Sequence, residues 1–244
     1  MKMDGYFNQV KNRYKEDTKL NSLFSQNCLI CRQESINAIC AYCQSDLDLF
    51  NCQQFEYNLM HCPNIQKGLK KVSFPHILAL SDYQWPISKL LTGLKFSAKF
   101  PHAHALARLF VKNCLATGDD KPQFIVPIPL HKNRFLTRKF NQSIELAKHI
   151  SQLSNIPMNT NLLNRVKSTR QQTDLTAVAR KRNLRNAFCI PPTALEQLIE
   201  YQHIALFDDV VTTGTTINSA YNLLHKANPK LRIDVWSICI TLQR

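Results

Sequence analysis

The sequence predicts an α/β domain built on a mostly parallel sheet flanked by helices, preceded by a small cysteine-bearing module. Three observations lead there. From about Lys67 onward, short apolar runs alternate with stretches of helical apolar spacing, as strands do when crossover helices join them. Six of the nine cysteines fall between residues 28 and 66, where apolar periodicity is weak. Near the end, "LFDDVVTTGTT" (206–216) carries an apolar run into two adjacent acids and a threonine-glycine turn.

The elements follow in chain order. Residues 1–27 form a polar arm, 28–66 the cysteine module, and 67–244 the α/β domain. "HILAL" (76–80) is a strand, and "WPISKLLTGLKF" a helix with Pro86 near its first turn. "HAHALARLFVKNCL" has helical apolar spacing. "FIVPIP" (124–129) is a short strand ending in prolines. "NQSIELAKHISQL" is an amphipathic helix whose buried side takes Ile144, Ala147 and Ile150, with Leu146 a further candidate. "LLNRV" is a short strand, and "TDLTAVARKRNL" has helical spacing at Leu175, Val178 and Ala179. "HIALF" is a buried strand, "TTINSAYNLLHKA" the helix after it, and "IDVWSICITL" the terminal strand.

A chain of 244 residues suits one medium domain plus an accessory module. No run of about 18 apolar residues is present, so no membrane span is expected. The polar N-terminus lacks the apolar stretch of a secretory signal. These features point to a cytoplasmic protein. The formal net charge is +14. Between Val126 and Ile190 twelve Lys or Arg face two acids, Glu145 and Asp174, which concentrates most of the surplus there. Such a surface suits nucleic acid or phosphorylated ligands. Aromatics in these basic stretches are limited to Phe135, Phe140 and Phe188, which leaves little for base stacking.

The 206–216 stretch has a phosphate-binding logic. In an open parallel sheet, ligands bind beyond the carboxyl ends of the strands. A helix N-terminus there offers unpaired N–H groups and partial positive charge to an anion. Gly214 admits close backbone approach, and Thr212, Thr213, Thr215 and Thr216 add hydroxyl donors. Asp208 and Asp209 would repel a phosphate unless they serve something else. Sugar hydroxyls or a shared Mg²⁺ ion are the two candidates. A ligand with a phosphate, a ribose diol and a magnesium-bound pyrophosphate satisfies every group, and 5-phosphoribosyl-1-pyrophosphate (PRPP) is that ligand.

The cysteines form two C-x-x-C pairs, Cys28 with Cys31 and Cys40 with Cys43, separated by eight residues. Four thiolates complete tetrahedral Zn²⁺ and leave no open position, so the expected metal is structural. Cys52, His61 and Cys62 are reserve ligands, a decayed second knuckle or a packing feature. Cys114, Cys189 and Cys239 lie in apolar patterns and are expected in the core. His102, His104, His131 and His203 do not cluster as a catalytic set and are read as surface or local structure rather than as a base.

The 206–216 stretch resembles the PRPP signature of type I phosphoribosyltransferases. That resemblance implies ribose contacts from Asp208 and Asp209 and a 5-phosphate cradle at Thr212, Thr213, Gly214, Thr215 and Thr216. Two more blocks, "VPIPLHKNRFLTRKFNQSIELAK" (126–148) and "RVKSTRQQTDLTAVARKRNLRNAF" (165–188), refine it. With the cysteine module and "VWSICITL", they resemble the ComF family of competence proteins over nearly the whole chain. The specific positions are Arg138 with Phe140, Asn141 and Gln142, then Gln172, Leu175, Arg180, Asn183, Ala187 and Phe188. Lys139 stands where that family usually has Gly, and Ala179 where it often has Glu. The resemblance supports the four-cysteine finger. It also implies a type I phosphoribosyltransferase-like sheet.

The charged residues of these blocks have their own reading. Arg134, Arg138 and Lys139 follow a strand end and suit either pyrophosphate or a DNA backbone, against a plain solvated loop. Arg180, Lys181 and Arg182 would bring charge to a leaving pyrophosphate if the second block closes as a hood. The function implied is a ComF-like protein that binds PRPP–Mg²⁺ and assists import of single-stranded DNA during natural transformation, with DNA-import proteins as further partners. A metabolic phosphoribosyltransferase acting on a nucleobase or other acceptor, and a structural adaptor, are the alternatives.

Overall fold

The chain runs from a cysteine-bearing hairpin into a parallel sheet. The computed structural model describes residues 26–69, 71–97, 100–115, 120–130, 140–166 and 187–242. They divide into two compact units, one running to Leu47 and the other starting at Asp48.

In the first unit, β1 (Gln26–Asn27) pairs antiparallel with β2 (Glu34–Ser35), and α1 (Ala41–Ser45) follows. The turn between the strands is closed by Cys28 N–H donating to Gln33 O and Arg32 N–H to Cys28 O. Arg32 adopts a left-handed φ of 64° to make it. Leu29 N–H donates to Ala38 O and ties the hairpin to the approach of α1.

The second unit opens with short 3₁₀ turns and α2 (Pro63–Gly68), with Pro63 in its first turn, where a missing N–H costs nothing. Residues 48–66 bond within this unit: Phe50 N–H donates to Leu80 O, and Asn58 Nδ2 to Pro75 O. Then come β3 (Ile77–Asp82), α3 (Ile87–Ser97), α4 (Phe100–Cys114), β4 (Phe124–Pro127) and α5 (Gln142–Ser154). The short pair β5 (Asn164–Arg165) and β6 (Phe188–Cys189) leads to α6 (Pro192–Glu200). β7 (His203–Val211), α7 (Thr215–Ala227) and β8 (Arg232–Ile240) complete the order.

Four strands form one parallel sheet in the order β3-β8-β7-β4. Their near-continuous apolar runs reflect burial on both faces. Ile204, Ala205, Leu206 and Phe207 are all fully buried, as are Val235 and Ile238. α4 packs on α5 and β3, α5 on β4 and β7, and α7 on β7, β8 and α6. Phe110 of α4 meets Phe207 edge-on at 6.2 Å and Trp236 at 5.7 Å. Contacts of this kind add to the area that the rings bury.

The alternation of strand and helix, the parallel sheet and the flanking helices agree with the expected fold class. Several details differ. The helix α6 is absent from the sequence reading. β7 extends four residues past "HIALF", so Asp208 and Asp209 lie inside a strand. In α5, Leu146 is fully buried while Ile144 is only partly covered. Cys114 and Cys239 are buried as expected, but Cys189 is half-exposed. His102 is buried, with Nδ1 3.0 Å from Leu90 O. Gly93 makes room for it, because a Cβ there would lie 2.5 Å from the His102 ring.

At the N-terminal ends of β7 and β8 lies a charged cluster. The buried Asp234 carboxylate is 2.9 Å from His203 Nε2 and 3.6 Å from His76 Nδ1. It also accepts from Arg232 Nε at 3.2 Å. Arg232 Nη1 reaches Asp120 at 2.7 Å.

Candidate functional site

The opposite, carboxyl-terminal edge of the sheet carries the sequence-predicted phosphate loop. β7 pairs with β8 through Asp208 opposite Ser237 and Val211 opposite Ile240, then stops. Residues 212–214 turn the chain into α7. Gly214 is the N-cap, at φ +70°, a conformation that residues with a Cβ adopt at a cost. A Cβ at this position would also lie 2.6 Å from Val72 Cγ1. The glycine therefore has a packing reason in addition to its backbone conformation. Its carbonyl accepts the first helical bond from Asn218 N–H at 2.9 Å. Asn218 Oδ1 accepts from Ser73 N–H at 2.6 Å, which anchors the helix start to the chain before β3.

No side chain caps this helix, and its first turn holds no acid. The first N–H groups and the positive end of the dipole thus face the loop. Thr212 and Thr213 are exposed, and Thr213 Oγ1 lies 2.7 Å from Thr215 Oγ1. This arrangement can accept one phosphate group.

The two acids are half-buried just upstream. Asp208 Oδ1 accepts from Ser143 Oγ and from Asp209 N–H, both at 2.9 Å. Asp209 Oδ1 accepts from Val210 N–H at 3.0 Å. Ser143 belongs to the first turn of α5, which Asn141 caps by accepting from Ser143 N–H at 3.0 Å. Asn141 Nδ2 donates to Ile128 O, and Ile128 N–H to Phe207 O. A second helix N-terminus is thereby fastened between the ends of β4 and β7, with its hydroxyl on Asp208. The backbone and hydroxyl donors orient these carboxylates.

The structure thus brings Asp208, Asp209, Thr212, Thr213, Gly214, Thr215 and Thr216 into one strand-turn-helix. Arg134, Arg138 and Lys139 lie outside the described residues, and so do Arg180, Lys181 and Arg182. Gln172, Leu175 and Asn183 lie outside them as well. Ser143 was missed by the sequence reading. The signal for it was the Asn cap two residues earlier, which identifies position 143 as the first turn of a helix.

The first unit gathers Cys28, Cys31, Cys40 and Cys43, with all four sulfurs within 4.8 Å of one another. Tetrahedral zinc with sulfurs at about 2.3 Å holds them about 3.8 Å apart. Cys31 and Cys40 Sγ are 3.8 Å apart. Cys40 N–H points at Cys28 Sγ and Cys43 N–H at Cys40 Sγ, both at 3.4 Å. Burial pushes the Cys28 thiol up, but N–H groups of Cys40, Cys31 and Ile30 outweigh it and bring it down to about 6. Burial pushes Cys43 up, and the sulfurs of Cys40, Cys31 and Cys28 add to this, to about 12. A divalent cation relieves that repulsion by favouring four thiolates. The donor set fits a metal such as zinc. Cys52 does not join the set. It is buried in the other unit, and its Sγ donates to Ala79 O, as does that of Cys114.

No helix of the described residues is long and apolar enough to cross a membrane. No family model matches the sequence. Curated relatives do. The chain is 33% identical over 229 residues to competence protein F of Haemophilus influenzae, covering 89% of this chain and 98% of that one. It is 36% identical over 177 residues to the DNA utilization protein YhgH of Salmonella typhimurium and to that of Escherichia coli. Each of those matches covers 71% of this chain and 75% of the relative. Among solved structures, glutamine PRPP amidotransferase of B. subtilis aligns at 15% identity and a TM-score of 0.33. It covers 55% of this chain and 24% of that one, too loose a likeness to bear on the site. By identity and coverage, the chain belongs to the competence protein F family.

Proposed function

We propose that this protein binds PRPP with Mg²⁺ at residues 208–216 and assists the handling of incoming single-stranded DNA in the cytosol during natural transformation. One observation carries the reading: a half-buried acid pair directly precedes an uncapped helix N-terminus at the carboxyl edge of a parallel sheet. A phosphate fits the helix start, and ribose hydroxyls or a magnesium ion fit the acids. On this reading the sheet domain is of the type I phosphoribosyltransferase kind. When bound, Mg²⁺ would neutralise the pyrophosphate. Arg134, Arg138, Lys139, Arg180, Lys181 and Arg182 contact pyrophosphate or the DNA backbone, and the cysteine module is a structural zinc finger. The relatives' names supply the DNA side of the reading, and the net charge of +14 agrees with a polyanionic partner.

The test is a transformation assay in cells carrying the D208N/D209N double variant, with labelled donor DNA followed across the inner membrane. Loss of transformation at normal protein level supports the reading. Wild-type uptake and integration would remove any essential role for the acids. Pyrophosphate release from PRPP in the presence of an added nucleobase would favour the alternative, a metabolic transferase.

A further inference from the structure

The sheet edge that holds the acid pair also carries an aromatic loop with no role in the scheme above. Asp82 at the end of β3 is paired with Ile240 of β8, and Ile240 with Val211 of β7. The three residues form one row across the sheet. Tyr83, Gln84 and Trp85 follow the first of them, and the phosphate loop follows the last. Neighbouring strands lie about 4.8 Å apart, so the two loops leave the same edge about 10 Å from each other. That separation is on the scale of a single nucleotide.

The loop is firmly held. Tyr83 N–H donates to Ile240 O and to Asp82 Oδ1, and Leu242 N–H reaches the same carboxylate oxygen. Gln84 Nε2 donates to Asp48 Oδ2 at 2.9 Å, and Ile87 is buried at the start of α3. On this rigid turn Trp85 is 66% exposed and Tyr83 36%. The contrast with Trp236, the chain's other tryptophan, at 2%, shows that an indole can be buried in this fold. An indole held out to water on the edge that carries the proposed phosphate site offers a flat, rigid face to a ligand bound there.

We infer that Trp85, with Tyr83 beside it, is a stacking platform for an unpaired base of single-stranded DNA. This rests on the DNA-handling reading above and deepens it. The flat π-faces suit bases of any sequence, and the surplus positive charge suits the backbone that accompanies them. The occupant is a base rather than an apolar peptide segment because the platform lies on the edge that presents phosphate-binding groups.

The test uses the full-length zinc-loaded chain and fluorescein-labelled oligo(dT), read by anisotropy at fixed salt. W85A should weaken binding by about 5- to 150-fold, the range for one lost stacked base. W85F should recover most of it, and the slope of affinity against salt should stay unchanged, since no phosphate contact is removed. Intrinsic tryptophan fluorescence should be quenched by oligo(dT) in the wild type and much less in W85A. Because Trp85 is exposed, W85A should melt at the wild-type temperature. Wild-type affinity in W85A overturns the platform and leaves the DNA-handling reading standing. Absence of oligo(dT) binding by the wild type overturns that reading, and the platform with it.

Discussion

Ser143 donates its hydroxyl hydrogen to Asp208 over 2.9 Å, joining a helix start to a strand end 65 residues later in the chain. The bond fixes the first acid of the pair before any ligand arrives. S143A should leave that carboxylate with one donor fewer. Stability should fall by about 1.5–3 kcal/mol, the range for a hydrogen bond to a charged group. Affinity for Mg²⁺–PRPP should fall several-fold. Thermal melts and calorimetric titration check both, and unchanged affinity would mean the acid is positioned without its help.

G214A tests the turn. The left-handed φ costs about 1–2 kcal/mol for a residue with a Cβ, and the new methyl would lie 2.6 Å from Val72 Cγ1. The expected destabilisation is about 2–3 kcal/mol. Adding V72A should relieve the contact and leave the backbone cost. A double-mutant cycle by denaturant unfolding therefore predicts a favourable coupling between the two changes. Strict additivity would show that the methyl never meets Val72.

Metal removal tests the cysteine tetrad. The purified protein should contain a single zinc ion per chain. A strong chelator should expose residues 26–47 to protease while the sheet unit keeps its own melting transition, because the first unit has little core besides the tetrad. C31S should bind zinc more weakly. Full protease resistance after metal is stripped would rule out a structural metal.

The cluster at the other edge predicts acid sensitivity. Burial lowers His76 below its ordinary value, with Asp234 opposing the shift. Burial works against the charged form of Asp234, yet the hydrogen bond from His203, the charges of His76 and His203, and the bond from Arg232 hold it below its ordinary value. Both groups bind fewer protons folded than unfolded, so stability rises with pH across each window. This cluster's contribution should be level above about pH 6.5, decline as pH falls through the His76 window, and decline again below about pH 4. D234N should be less stable at neutral pH and should lose the lower decline. Urea unfolding at a series of pH values reads this, and an identical lower decline in D234N would contradict it.

The central strands are legible in the sequence because burial on both faces demands unbroken apolar runs, as in "HIALF". The four cysteines are legible because spacing alone dictates a knuckle. Other features are hidden for physical reasons. Polarity ends the apolar run at Phe207, but backbone pairing with β8 continues to Val211, so the acids sit in the strand rather than past it. In α5 the buried stripe runs through Ser143, Leu146, Ala147, Ile150 and Ser154. A reading that follows only apolar residues draws in Ile144 and overlooks the serine that holds Asp208. α6 buries Ala194 and Leu198 while Leu195 and Ile199 are exposed, which blurs its period. Trp85 has no sequence signal, since exposure of a tryptophan is a property of the fold.

The most direct test of the account is calorimetric titration of PRPP with Mg²⁺ into the zinc-loaded wild type and into D208N/D209N. A saturable single-site isotherm in the wild type, abolished or weakened at least about tenfold in a double variant that still folds, is the predicted result. That factor corresponds to about 1.4 kcal/mol. Absence of wild-type binding, or equal binding by the double variant, would contradict the assignment of residues 208–216 as the PRPP site.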